Sequence, residues 1–217
     1  MSEKRRFPVE DKFMNKKVSD MLYGYLQSIS YLDNNKNRFV YKSHFSPTSV
    51  QEYFGVDEKG EYRFQRLAVT RALRVLIQYG YVREINVQGL KGNTVKAYEL
   101  PYDEEKIFQY IPLETLKYLL DTCNPHVIKL YIYFLNGYNN FGSNFEFTDK
   151  RLLNECFGVK SNTNKKTNDT LKNRLDILKK LGLIDWCEYT KSYSGTKIKT
   201  KRLLFVNKYV SKNDTPK

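Results

Sequence analysis

Five side chains between residues 63 and 74 can donate hydrogen bonds from one side of a helix. They are Arg63, Arg66, Thr70, Arg71 and Arg74. Apolar residues recur between them at helical spacing and form the opposite stripe. Arginine can grip a guanine edge or a phosphate with two parallel hydrogen bonds. The stretch from Arg63 to Tyr79 holds four arginines and no acidic residue, which favours a nucleic-acid-reading helix over an ordinary solvated face.

The residues around this helix predict the element that positions it. A short helix ends at Phe54-Gly55, and the basic helix is expected from Tyr62 to Tyr79. Strands are then expected at 81–87 and 95–100, around a glycine-rich turn. Helix, turn, helix and hairpin together predict a winged helix, in which the second helix enters the major groove. In the hairpin, Lys91 and Lys96 are predicted to contact the phosphate backbone of the DNA.

The second half of the chain repeats this order of elements. Leu22–Leu26 matches Leu130–Phe134, and Phe54-Gly55-Val56 matches Phe157-Gly158-Val159. The segment from helix through glycine to strand, 69–82, aligns with 171–184 without a gap. The ordered set predicts an α+β protein with two tandem winged-helix domains. The alternative is one larger α+β domain whose halves are similar by accident.

Composition shifts predict the boundaries of these domains. We expect a flexible basic arm at 1–15, winged helices at 16–101 and 111–210, a linker at 102–110, and a loose tail at 211–217. The first helix is expected over 16–32. Ser46 is predicted to cap the second helix with Pro47 at its first position, and Thr148 or Asp149 to cap the corresponding helix in the second half.

The second long helix, ending at Lys180, carries a mixed set of polar residues. Its predicted DNA contacts are Lys165, Lys166, Asn168, Lys172 and Asn173. Asparagine can read adenine, and lysine can bind guanine or phosphate. Asp169 and Asp176 share this polar side, however. Arg174 falls on the apolar arc, where it either extends its charge to the surface or marks an error in the helix register.

The second hairpin is expected to turn over 190–197. Its predicted contacts are Lys191, Lys197 and Lys199. Alternate lysines at 197, 199 and 201 place three charges on one face of a strand, which suits a row of phosphates. The same pattern also protects an edge strand from aggregation.

Net charge and composition limit the classes of function that the chain can have. A net charge of +13 and a pI near 9.5 favour a polyanionic partner, with nucleic acid before an anionic membrane. No apolar run approaches the roughly 18 to 20 residues of a membrane span. The start is charged and lacks the apolar segment of a secretory signal. Three cysteines far apart in sequence predict neither a disulfide framework nor a zinc site and suit the cytoplasm.

Motifs for catalysis are lacking in the sequence. There is no phosphate-binding GxxxxGK loop and no HExxH, and the two histidines, His44 and His126, are far apart. We therefore expect no enzyme, no catalytic residue, no metal site and no cofactor.

Short patterns give the chain a resemblance to a known family. IPLETLKYLL, HVIKLYIYFLNGY, FEFTDKRLLNECFG and LKNRLDILKKLGLIDW resemble segments of plasmid and phage replication initiators, which consist of two tandem winged helices. The resemblance covers about residues 16–208. It implies binding to repeated origin sites in double-stranded DNA and recruitment of a host helicase or its loader. In that family one copy can serve homodimerisation instead. A winged-helix transcriptional regulator and a protein-interaction module with an incidental basic surface are the alternatives.

Overall fold

The helical and strand-like patterns of the chain form a mixed α+β architecture with small antiparallel sheets. The computed structural model describes residues 6–10, 17–32, 38–89, 92–101, 108–159 and 165–209. Contacts divide the chain into two compact units, Met1–Leu113 and Glu114–Lys217. This division lies later than the predicted linker at 102–110. Within the described residues, no helix is long and apolar enough to cross a membrane.

The first unit contains three α-helices and six strands among the described residues. They are β1 (Arg6–Glu10), α1 (Lys17–Ile29), β2 (Tyr31–Leu32), β3 (Arg38–Tyr41), α2 (Pro47–Phe54), α3 (Arg66–Gln78), β4 (Arg83–Gln88), β5 (Thr94–Leu100) and β6 (Phe108–Pro112). The expected first helix over 16–32 is too long, because Tyr31 and Leu32 pair with Phe39 and Arg38. Leaving the helix early lets these backbone groups join the edge of the sheet.

Strand β1 corrects the prediction of a flexible arm. Arg6–Glu10 pairs antiparallel with β6, from Arg6 opposite Pro112 to Glu10 opposite Phe108. The arm prediction is wrong at these residues, because pairing with a strand about 100 residues away leaves no local signal in the sequence. The rest of the predicted arm, most of the linker and the tail at 211–217 lie outside the described residues.

The turn between α2 and α3 is built from local hydrogen bonds. The predicted cap is confirmed: the Ser46 hydroxyl accepts from the backbone N–H of Ser49 at 3.0 Å. Helix α3 begins at Arg66, later than the predicted Tyr62, because Tyr62 forms a β-bridge with Val56. The Asp57 carboxylate closes this loop by accepting from two backbone N–H groups at 2.8 and 3.0 Å.

The sheet of the first unit has the strand order β2-β3-β5-β4. The hairpin β4–β5 therefore contacts the rest of the sheet through its second strand. Val40, Tyr98 and Leu100 are buried on one side of this sheet. They belong to the same core as Leu26 of α1 and Leu76 of α3, which are fully buried.

The second unit contains four α-helices and three strands among the described residues. They are α4 (Leu113–Thr122), α5 (Pro125–Phe141), β7 (Glu146–Phe147), α6 (Asp149–Phe157), α7 (Lys165–Lys180), β8 (Ile184–Tyr193) and β9 (Thr196–Val206). Thr148 caps α6 by accepting from the Arg151 N–H, as the first of the two predicted candidates. The strand order is β7-β9-β8.

The hairpin β8–β9 is longer than predicted. The expected turn over 190–197 is wrong, because pairing continues to Tyr193 opposite Thr196. Only Ser194 and Gly195 remain between the strands, both with positive φ, 47° and 79°. Two such residues form the tight turn whose twist matches that of antiparallel strands. Lys191 and Lys197 are therefore strand residues.

The two units have the same strand order, and α3 and α7 end with the same hydrogen-bond pattern. The order β7-β9-β8 repeats β3-β5-β4 of the first unit. After α3, the Tyr81 N–H donates to Leu76 O at 2.9 Å; after α7, the Leu183 N–H donates to Leu178 O at 3.0 Å. The glycine before each donor has positive φ, 75° at Gly80 and 63° at Gly182. Aligning these glycines pairs each residue of α3 with the residue 102 positions later in α7.

Gly137 in α5 provides a test of the packing in the second unit. A β-carbon at Gly137 would lie 2.6 Å from the Phe145 ring, which is itself buried. We expect Gly137→Ala to destabilise the fold by about 1–2 kcal/mol, because overpacking outweighs alanine's higher helix propensity. Urea denaturation measures this, with exposed Asn140→Ala in the same helix as control. A more stable Gly137→Ala variant would contradict the packing.

Candidate nucleic-acid interface

The outer face of α3 is defined by four exposed residues opposite its buried stripe. They are Leu67, Arg71, Arg74 and Gln78. Val69, Leu73 and Leu76 anchor the other side of the helix in the core. In the part of the chain that the structure describes, no hydrogen bond or ion pair joins Arg71 or Arg74 to another residue. Both guanidinium groups can therefore bind an external acceptor without first breaking a contact.

Two other predicted contacts of this helix have internal partners. The prediction that Arg63 lies on the helix face is wrong: it precedes α3, and its Nη1 donates to Phe54 O at 2.6 Å. The Arg66 Nε donates to Gln51 Oε1 at 3.0 Å, although Arg66 is exposed. The buried Gln51 amide in turn donates to Phe64 O at 3.1 Å. Arg63 and Arg66 thus hold the turn between the helices together.

The remaining predicted contacts of the first unit differ in accessibility. The Thr70 hydroxyl donates to Arg66 O at 3.0 Å, within the helix itself. Lys96 is exposed on β5, opposite Asn86. Lys91 lies outside the described residues. Arg71, Arg74 and Lys96 are therefore the cations of this unit's predicted set that are exposed and have no hydrogen bond or ion pair among the described residues.

Most of the excess positive charge belongs to the second unit. Residues 114–217 contain 19 Lys and Arg against 10 Asp and Glu, a net charge of +9. Residues 1–113 contain 18 against 14, a net charge of +4. By net charge alone, a polyanion would be attracted more strongly to the second unit, although α3 of the first unit contains no acidic residue.

The polar face of α7 places all five predicted residues in solvent. Lys165, Lys166, Asn168, Lys172 and Asn173 are exposed. Asp169 is exposed as well, and among the described residues no ion pair joins it to a neighbouring lysine. By the glycine alignment, Asp169 and Asp176 occupy the positions of Leu67 and Arg74 in α3. The two helices thus present different chemistry from equivalent positions.

Arg174 lies on the inner side of α7, where its guanidinium group packs against an aromatic ring. Its guanidinium carbon is 4.8 Å from the centre of the Phe157 ring, at the end of α6. Partial burial lowers the pKa of Arg174 from its usual value. The His126 ring also contacts Phe157, with ring centres 5.9 Å apart. The helix register is therefore the predicted one, and Arg174 fastens α7 to α6.

The lysines of the second hairpin divide into a bound group and a free group. Lys191, Tyr189 and Arg202 all donate to the Glu146 carboxylate of β7. Lys191, predicted to contact DNA, is therefore ion-paired within the protein. Lys201 likewise pairs with Asp149 at 2.6 Å. Lys197 and Lys199 are exposed on β9, and in the described chain no ion pair engages them.

Glu146 anchors the hairpin, and its titration tests this contact. The hydrogen bond from Lys191, followed by that from Tyr189, lowers the pKa of Glu146 from 4.5 to about 2. An ionised carboxylate favoured by the folded state stabilises it fully above the unfolded-state pKa, and this stability is lost as pH falls toward 2. We expect Glu146→Gln to unfold at lower urea than the wild type at pH 7. The difference should narrow as the pH falls below 4.5.

Glu188→Gln is the matched control for this titration. The Glu188 carboxylate is on β8, is 65% exposed and lies 3.8 Å from Lys201. Replacing it should therefore change the free energy of unfolding little. Equal pH dependence in the wild type and Glu146→Gln would mean that Glu146 does not hold the hairpin in solution.

Sequence reasoning missed three residues that shape this surface: Leu67, Glu146 and Phe157. The partners of Glu146 lie 43 to 56 residues away along the chain, so no local pattern identifies them. Leu67 could have been identified from the sequence, because helical spacing places this apolar residue among the polar residues of α3.

Comparison of the chain with protein-family models, with curated proteins and with solved structures finds no match.

Proposed function

We propose that this protein binds double-stranded DNA in a sequence-specific manner through two winged helices. The observation that carries the proposal is the outer face of α3. Arg71 and Arg74 are exposed there and have no partner among the described residues, on a helix that has no acidic residue. An exposed pair of arginines one turn apart suits the acceptor atoms of guanine in the major groove, which admits an α-helix.

The shared topology of the two units supports the winged-helix assignment. Each unit has a short strand, then two helices, then a two-stranded hairpin. In each, the second hairpin strand pairs with the short strand and so ties the hairpin to the helices. This arrangement gives one helix for the groove and one hairpin for the neighbouring backbone.

We expect phosphates to be bound by exposed lysines that have no ion pair among the described residues. Lys165 and Lys166 lie in the first turn of α7, and Lys197 and Lys199 lie near the hairpin tip. Lysines without internal partners can bind phosphates and release counterions from DNA. The net charge of +9 on the second unit favours this role.

The resemblance to plasmid and phage initiators extends the proposal to replication. We propose that the bound DNA is a replication origin with repeated sites, and that a host helicase or its loader and a second copy of the chain are partners. Sequencing of bound fragments from the source genome tests this extension. Direct repeats in an origin support it, whereas one palindrome over a promoter would make the protein a transcriptional regulator.

A salt titration tests DNA binding itself. The full chain is measured against a duplex that it selects from a random-sequence library, between 50 and 200 mM salt. If six or more phosphates are contacted, affinity should fall by about 10³-fold or more over this range. Weak binding with a flat salt profile would contradict the proposal and favour a protein-interaction module.

A further inference from the structure

One apolar side chain interrupts the basic outer face of α3. Leu67 is 60% exposed and lies in the first turn of the helix, one turn before Arg71 and two before Arg74. Residues at these spacings lie in one row along a helix. Leu67 therefore lies at the N-terminal end of the face that we assign to the major groove, where most of its surface is outside the core.

A shallow apolar groove of about 490 Å³ continues from Leu67 along the side of α3. Its lining includes Val18, Leu67, Ala68, Ala72 and Val75, with Arg71 among its polar residues. The Thr70 hydroxyl is occupied by its hydrogen bond to Arg66 O. An apolar surface thus lies beside the Arg71 donor, at the margin of the outer face of α3.

The second unit offers an internal comparison. Asp169 of α7 occupies the position of Leu67, and its carboxylate cannot make an apolar contact with a base. Any contact made by Leu67 should therefore be confined to the DNA under the first unit.

Thymine is the base that presents an apolar group, its 5-methyl, in the major groove. We propose that Leu67 contacts the 5-methyl group of a thymine beside the base bound by Arg71. This inference rests on the proposed DNA binding and names part of its specificity. An apolar surface next to a guanidinium group fits a thymine adjacent to a guanine, since the methyl and the guanine acceptors lie on the same groove floor.

Uracil scanning tests the contact, because uracil lacks only the 5-methyl of thymine. Each thymine of the selected duplex is replaced in turn by uracil, and binding of the full chain is measured. We expect one or two positions at which wild-type affinity falls about fourfold, as for one buried methylene-sized group. Leu67→Ala should bind the thymine and uracil forms of these duplexes equally.

Leu32→Ala is the matched control, because Leu32 is similarly exposed, at 62%, but lies on β2. It should keep the full response to uracil, and thermal unfolding should show that both variants fold like the wild type. Equal binding of all uracil duplexes, with the salt dependence intact, would overturn the thymine contact and leave DNA binding standing. A uracil response that persists in Leu67→Ala would overturn it as well. If the chain does not bind DNA, or binds it weakly with an affinity that does not change with salt, both proposals are overturned.

Discussion

Replacing Arg71 and Arg74 together with alanine is expected to weaken binding to the selected duplex by about 30-fold or more. Each arginine that reads a base contributes roughly 1–3 kcal/mol. Neither side chain has an internal partner among the described residues, so its removal should leave the fold unchanged. Equilibrium binding at a fixed salt concentration measures the loss. Retained affinity would remove α3 from the interface.

Lysine substitutions separate base reading from charge. Arg71→Lys and Arg74→Lys keep the positive charge but lose the planar fork of donors. If these residues read guanine, the lysine variants should lose discrimination against altered bases and keep the wild-type salt slope. Arg83→Ala serves as control, because Arg83 is exposed at the start of β4, off the helix. A lysine variant with unchanged discrimination would assign that arginine to phosphate.

The second large effect is expected at the first turn of α7. Changing Lys165 and Lys166 to glutamine should make the fall of log affinity with log salt less steep by about 2, since each phosphate contact contributes about 0.9 to the slope. At 0.15 M salt this corresponds to about 30-fold weaker binding. The loss should be similar for all duplexes, because phosphate contacts carry no sequence information.

Lys117→Gln with Lys208→Gln removes the same charge elsewhere in the second unit. Lys117 pairs with Glu114 on α4, and Lys208 donates to Asn139. An equal loss of slope in this control would mean that net charge, rather than the first turn of α7, attracts DNA. An unchanged slope in the Lys165 and Lys166 variant would place this turn outside the interface. That result would leave Lys197 and Lys199 of the hairpin as the proposed phosphate contacts of the second unit.

The sequence by itself determined the elements that depend on near neighbours. Ser46 and Thr148 cap their helices as predicted, because a cap and its partner N–H lie within three residues of each other. Gly80 ends α3 for a similar reason, since its positive φ costs glycine little. The buried stripe of α3 also follows from helical spacing. The basic outer face of that helix could be predicted from the same periodicity, although Leu67 within it was missed.

Only the tertiary structure decided which charges remain free. Arg63 and Lys191 have the same charge as their neighbours, yet Phe54 O holds one and Glu146 holds the other. Arg174 was ambiguous until Phe157 provided a ring for it. These contacts, like the pairing of β1 with β6, join residues from 9 to about 100 positions apart in sequence. A periodic pattern reports which side of an element is polar, but whether a polar group keeps an internal partner depends on what folding brings beside it.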